Sequence, residues 1–94
     1  MRLRSLLLAG MLSLAALPAS ANCFADYKAK QDQPLRLHYG VIQLNGECSA
    51  SAARSEAGQR LSAAGWKLLN VISTFGPEGL EERKANAGAY FLRF

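Results

Sequence analysis

From Ser5 to Leu17 the chain carries only apolar and small side chains, and beyond Asn22 that uniformity breaks into segments whose hydrophobic period can be read. Leu35 to Leu44 alternates. Leu35, Leu37, Tyr39 and Val41 fall on one side and Arg36, His38, Gly40 and Ile42 on the other, the period of a half-buried strand. Asn45-Gly46 closes it with a turn signal. From Ser49 to Ala64 the composition shifts to Ala, Ser, Arg, Glu and Gln, with Ala50, Ala53, Ala57, Leu61 and Ala64 at helical spacing. Ser49 or Ser51 caps its start, and Gly65 stands where a left-handed residue ends a helix. Trp66 to Phe75 reads as a second strand, ended by Gly76-Pro77-Glu78-Gly79. Glu81, Glu82, Arg83 and Lys84 read as a solvated loop or one helical turn, and Ala87 to Phe94 as a last strand. Upstream, Cys23 to Gln33 is polar and short of β-branched residues. It reads as an irregular arm or helical turn, leading through Gln33-Pro34 into extended backbone.

The order arm, β, α, β, β defines an α+β fold with one helix packed on a three-stranded sheet. A right-handed crossover makes the first two strands parallel. Ala89 to Leu92 is the most continuously apolar stretch beyond position 22, which puts the last strand in the centre and gives the order 1-3-2. The second and third strands are apolar on both sides, since Trp66, Leu68 and Ile72 alternate with Leu69, Val71 and Phe75. One helix covers one face. The other must meet the arm, a second copy of the chain or a partner.

The amino-terminal pattern sets the compartment. Arg2 and Arg4 precede an apolar stretch of about 13 residues, against roughly 20 for a spanning helix, and Ala19-Ser20-Ala21 matches the small-x-small cleavage signature. Residues 1–21 are therefore expected to be a cleaved signal peptide, residues 22–94 a single small α+β domain, and the destination periplasmic or secreted, with no membrane span after cleavage. Two of the 11 basic side chains lie in the signal, which leaves nine against 7 acidic ones. A net charge that mild argues neither for nucleic acid nor for an anionic membrane as partner. Cys23 and Cys48 both survive cleavage into an oxidising compartment, where a disulfide tying the arm is the simplest reading. A redox or metal pair is the rival, without C-x-x-C spacing and with only one histidine in the chain.

Chemistry-bearing constellations are sparse. His38 lacks a Ser-His-Asp order around it and reads as an exposed histidine on a sheet face. Asp26, Asp32, Glu47 and Glu78 are scattered over expected loops, and the glycines match no phosphate-cradling loop. No catalytic, cofactor or metal residue is expected. Trp66, directly after a helix end, reads as core before ligand platform. The leading expectation is a non-enzymatic module that binds an unknown protein or small ligand, or forms a homodimer through the open sheet face, with Arg36, His38, Ile42, Lys67 and Trp66 as the candidate interaction face. The alternative is a small periplasmic hydrolase or redox protein using His38 or Cys23/Cys48.

The junction LSAAGWKLLNVIS, with GAYFLRF at the end of the chain, resembles small bacterial domains of unknown function that carry an A-x-x-G-W-x-L-x-x-V core. The segment CFADYKAKQDQPLRLHYGVIQL is similar to small exported alphaproteobacterial hypothetical proteins. The resemblance implies a fold and an exported destination, and brings no activity or substrate with it.

Closing a loop of about 26 residues with a disulfide contributes roughly 3.5 kcal/mol in the chain-entropy model. Cys48→Ser is accordingly expected to lower stability by about 2 to 4 kcal/mol. Thermal melts under oxidising conditions measure it, and a melting temperature equal to the wild type's would mean that no bridge forms.

Overall fold

The computed structural model describes residues 22–94, so the segment read as a signal peptide lies outside the described residues. Cys23–Gln31 is a strand, β1, in the middle of a three-stranded sheet. β2 (Arg36–Leu44) pairs antiparallel along one edge, from Cys23 opposite Leu44 to Gln31 opposite Arg36, and β3 (Lys67–Phe75) pairs antiparallel along the other. β2 and β3 therefore run in the same direction either side of an opposed strand, linked by helix α1 (Ala50–Ala63). After β3 a 3-10 turn at Pro77–Gly79 leads into a second helix, α2 (Leu80–Ala87). The architecture is α+β with sheet order β2-β1-β3, and a Cys23–Cys48 disulfide spans a Cα separation of 5.8 Å.

Two flanking strands around an antiparallel third were expected, but the identity of the third is corrected. The supposed arm is the central strand, so the order 1-3-2 built on Ala87–Phe94 does not hold. That carboxyl-terminal segment instead turns at Gly88 (φ 52°) into a 3-10 turn over Gly88–Tyr90, and meets the sheet through one parallel bridge from Phe91 to Val41 at the outer edge of β2. Strand preference is largely a preference for a half-buried pleated surface. β1 has such a surface on both sides: Cys23, Ala25, Tyr27 and Ala29 are buried towards α1, and Phe24 and Asp26 towards α2. The charged stretch after Gly79 is also corrected, to a helix. Glu81 and Glu82 in its first turn and Lys84 in its last suit the helix dipole, and Leu80 and Ala87 pack inward.

On the α1 side the contact is made of small residues with one large filler. Ala53, Ala57 and Leu61 of α1 meet Ala25, Ala29 and Ile42 of the sheet, with Trp66, Leu68, Val71 and Phe94 at the margin. Full burial of a side chain such as Leu61 or Ile42 contributes about 1.5–3 kcal/mol. Tyr27 occupies the space left between alanines. Its ring lies over its cross-strand partner Gly40, where a β-carbon would stand 2.6 Å from Cζ.

The ends of α1 are fixed by the residues the sequence marks for them. Ser49 Oγ accepts from the Ala52 N–H at 3.1 Å. At the other end Gly65 (φ 85°) donates to Ser62 O, and Trp66 donates to Leu61 O at 2.9 Å, the paired bonds of a Schellman motif. Glu56 accepts from the backbone N–H groups of Asn45 and Gly46 and from Arg60, which holds the β2–α1 loop against the helix. Arg60 donates onward to the main-chain oxygens of Gln43 and Phe94.

Gly40→Ala is expected to displace the Tyr27 ring and cost about 1–3 kcal/mol. Urea unfolding measures this, and a wild-type midpoint would show that Tyr27 does not need the space above residue 40.

Candidate functional site

The face of the sheet away from α1 is a set of rows, each with its centre on β1. At one end Phe24 pairs with Gln43 and Phe75; next, Asp26 with Val41 and Ser73; then Lys28 with Tyr39 and Asn70; last, Lys30 with Leu37 and Lys67. Two irregularities in the β1–β3 pairing leave Ile72 and Leu69 without partners. Bulges of this kind add residues to one strand and re-aim their side chains. Both extra residues are large, apolar and about half exposed.

α2 covers the first two rows. Phe24, Val41 and Ala87 are buried there, with Phe75, Leu80, Tyr39 and Phe91 around them. Within this cover lies the buried carboxylate of Asp26, which accepts hydrogen bonds from Ser73 Oγ at 2.7 Å, Tyr39 OH at 2.8 Å and Arg83 Nε at 3.1 Å. Burial alone pushes the Asp26 pKa up, but the three donors and the Arg83 charge outweigh it and hold the carboxyl below 3.8. Arg83 also lies 3.9 Å over the Phe75 ring and donates to Gly79 O. Burial, then the bond to Asp26 and its charge, push Tyr39 up to about 12, so it remains a donor. Asp26, expected on a loop, is in fact the polar centre of the sheet.

Of the residues named as a candidate interaction face, the structure brings His38 and Trp66 together and separates the rest. His38, Gly40, Ile42 and Leu44 point to the α1 side, so Ile42 is fully buried and His38 nearly so. His38 is thus not an exposed sheet-face histidine. Its Nε2 lies 2.8 Å from Tyr27 OH, its ring stacks on Tyr90 at 3.7 Å, and Trp66 meets it edge-on at 4.3 Å. Burial, with a smaller contribution from Arg93, holds its pKa below 6.5. A neutral, boxed imidazole is built for packing and for one hydrogen bond. Trp66 is half-buried against the core, as expected, while Arg36 and Lys67 remain exposed beside the β1–β2 hairpin. Among the described residues no group of three or more His, Cys, Asp and Glu is placed to hold a metal ion. No described helix is long and apolar enough to cross a membrane.

The last two rows of the far face are open. A groove of about 300 Å³ lies there, with Lys28, Leu37, Tyr39 and Leu69 of the open rows in its lining. Leu37 is 65% exposed, Leu69 48%, and Leu35 in the adjoining hairpin loop 64%. Tyr39 joins the two halves of the face, since it lines the groove and donates its hydroxyl to Asp26. Of the candidate interaction face, Arg36, His38 and Ile42 lie on the other side of β2, whereas Lys67 of β3 lies on this face, opposite Lys30. Two signals pointed here: Leu35 and Leu37 lie on the side of β2 opposite His38, and Lys28 and Lys30 alternate with Tyr27 and Ala29 in the manner of a strand.

Compared with protein-family models, with curated proteins and with solved structures, the chain matches none. In the resembled A-x-x-G-W-x-L-x-x-V core, Gly65, Trp66, Leu68 and Val71 hold their positions and Ser62 stands where the first alanine would be. The structure gives the Gly-Trp pair its role as the cap of α1.

His38 and Asp26 both have depressed pKa values in the folded protein, so on acidification the unfolded chain takes up these protons first. Their contribution to stability is complete above the ordinary values. It is lost in two stages, below 6.5 for His38 and below 3.8 for Asp26. Asp26→Asn is expected to remove the lower stage and to cost about 2 kcal/mol at neutral pH, because Arg83 loses its anion. Urea titrations over a pH series check both, and an unchanged slope in the aspartate range would place the titrating group elsewhere.

Proposed function

We propose that this chain is an exported, non-enzymatic binding module, periplasmic or secreted, whose contact surface is the open groove between β2 and β3. The observation that carries the reading is the exposure of Leu37 and Leu69, which line one groove with Tyr39, beside the exposed Leu35 of the adjoining loop. Contiguous apolar surface on a small protein marks a place of contact. The disulfide and the small-x-small site after a short apolar stretch support export. The packing of His38 and the bonding of Cys23 to Cys48 support structural roles for the residues on which a hydrolase or redox reading would rest. A homodimer through this face is the less favoured version of the reading. Two-fold pairing would set Lys28, Lys30 and Lys67 of one copy near the same residues of the other.

Titration with the apolar fluorophore anilinonaphthalene sulfonate tests the groove. The folded protein is expected to give saturable, blue-shifted emission, and Leu37→Asp and Leu69→Asp to abolish it with little change in melting temperature, since both side chains are exposed. An unsaturable signal, or the same isotherm in both variants, would remove the groove as a binding surface.

A further inference from the structure

The rim of the groove is built from like charges. Lys30 lies directly across from Lys67 in the β1–β3 pairing, and Lys28 is the next residue on the same face. Opposed like charges on neighbouring strands cost stability. Among the described residues, the salt bridge here is Lys30 to Asp32 at 3.3 Å, an exposed pair of the kind that contributes at most about 1 kcal/mol. The acids Glu81 and Glu82, with Glu78 just before them, sit instead on the segment that covers the far end of the same face. Arg83 of α2 is paired with Asp26, and Lys84 offsets one of the three acids, so the α2 end is mildly acidic, whereas Lys28, Lys30, Lys67 and Arg36 at the hairpin end face one acid, Asp32.

Three lysines beside three leucines is a poor composition for the core of a protein interface, where lysine is depleted and aromatic residues and arginine are enriched. A second copy would bring the same cations. An anionic lipid surface suits both groups at once: leucines enter the boundary between headgroups and acyl chains, while lysine stems lie along apolar surface and carry their ammonium groups to the phosphates. Leu35, in the hairpin loop, and Leu37, near the start of β2 and in the lining of the open groove, are largely exposed at that end of the sheet. Resting on the reading of the groove as a contact surface, we infer that this end of the sheet docks onto an anionic bilayer. Leu35, Leu37 and Leu69 enter the interface, Lys28, Lys30 and Lys67 meet the phosphates, and the α2 end faces away. The net charge alone is too mild to argue for an anionic membrane; it is the placement of the charges that supports one.

Vesicle sedimentation tests this with protein delivered by cells that express the full sequence. Wild type and variants are compared, so that anything residues 1–21 contribute is common to every arm. Partition is expected to be stronger onto phosphatidylglycerol/phosphatidylcholine vesicles than onto phosphatidylcholine alone, and to weaken as salt is raised. Lys28→Glu combined with Lys67→Glu should lower it more than about tenfold. Leu37→Asp should also lower it, whereas Glu81→Lys at the opposite end should not. Melting curves verify that each variant is folded. Equal partition onto both vesicle types, or partition indifferent to the lysine pair, would overturn the inference. Saturable dye binding without vesicle binding would overturn it while leaving the groove as a contact surface, and tight binding of an acidic, leucine-bearing peptide would then assign the patch to a protein partner. Loss of dye binding as well would remove both readings.

Discussion

A carboxylate in the middle of a sheet must be answered by donors, and Asp26 draws one from each element around it: Tyr39 from β2, Ser73 from β3 and Arg83 from α2. An uncompensated buried charge costs several kcal/mol, so this one group constrains the positions of three neighbours. Ser73 fixes where β3 lies after its irregular pairing. Arg83, held also by Phe75 and Gly79, fixes where α2 lands. Because α2 is short and anchored at the Asp26 row, its cover ends there, and the rows of Lys28 and Lys30 stay open. The groove is what remains of a face whose other half is committed to neutralising a charge.

The two faces of β1 are built on different principles. Towards α1 the contact is dry and close, with alanines and Gly40 letting the layers approach and Tyr27 filling the gap. Within it Tyr27 bonds to His38, inside a box completed by Trp66 and Tyr90. Towards α2 the contact is polar at its centre and apolar at its margin. Tyr39 belongs to both the network and the groove, so occupancy of the groove and the state of the Asp26 network share a side chain.

Local signals in the sequence were legible wherever one residue type has one physical use. Ser49, Gly65, the alternation of Leu35 to Leu44, the alanine stripe of α1 and the cysteine pair all found the places their chemistry requires. What could not be read was the long-range arrangement. Ala25, Lys28, Ala29 and Lys30 are poor strand formers in isolation, and they form a central strand because the rest of the molecule supplies partners on both edges and cover on both faces. The apolar run from Ala89 to Leu92 looked like the better candidate, but burial can be satisfied by wrapping an edge as well as by pairing within a sheet. The short α2 was missed because Leu80 and Ala87 make a thin apolar stripe; the contribution of Arg83 comes from its salt bridge with Asp26, distant in sequence. For the candidate site, the alternation identified the two sides of β2 correctly, and the error lay in which side α1 would cover.

The position of β1 in the sheet also sets the order in which the structure can be completed. As the first strand in chain order, it emerges before both of its partners. The hairpin with β2 needs only the next few residues, whereas the second edge of β1 waits for Lys67–Phe75, and the Asp26 carboxylate waits longer still for Arg83. Until then the growing chain holds a half-paired strand with an open row of backbone donors and acceptors, the kind of edge to which other chains add. Lys28 and Lys30 stand on that half-paired ribbon, where like charges disfavour edge-to-edge pairing of two copies.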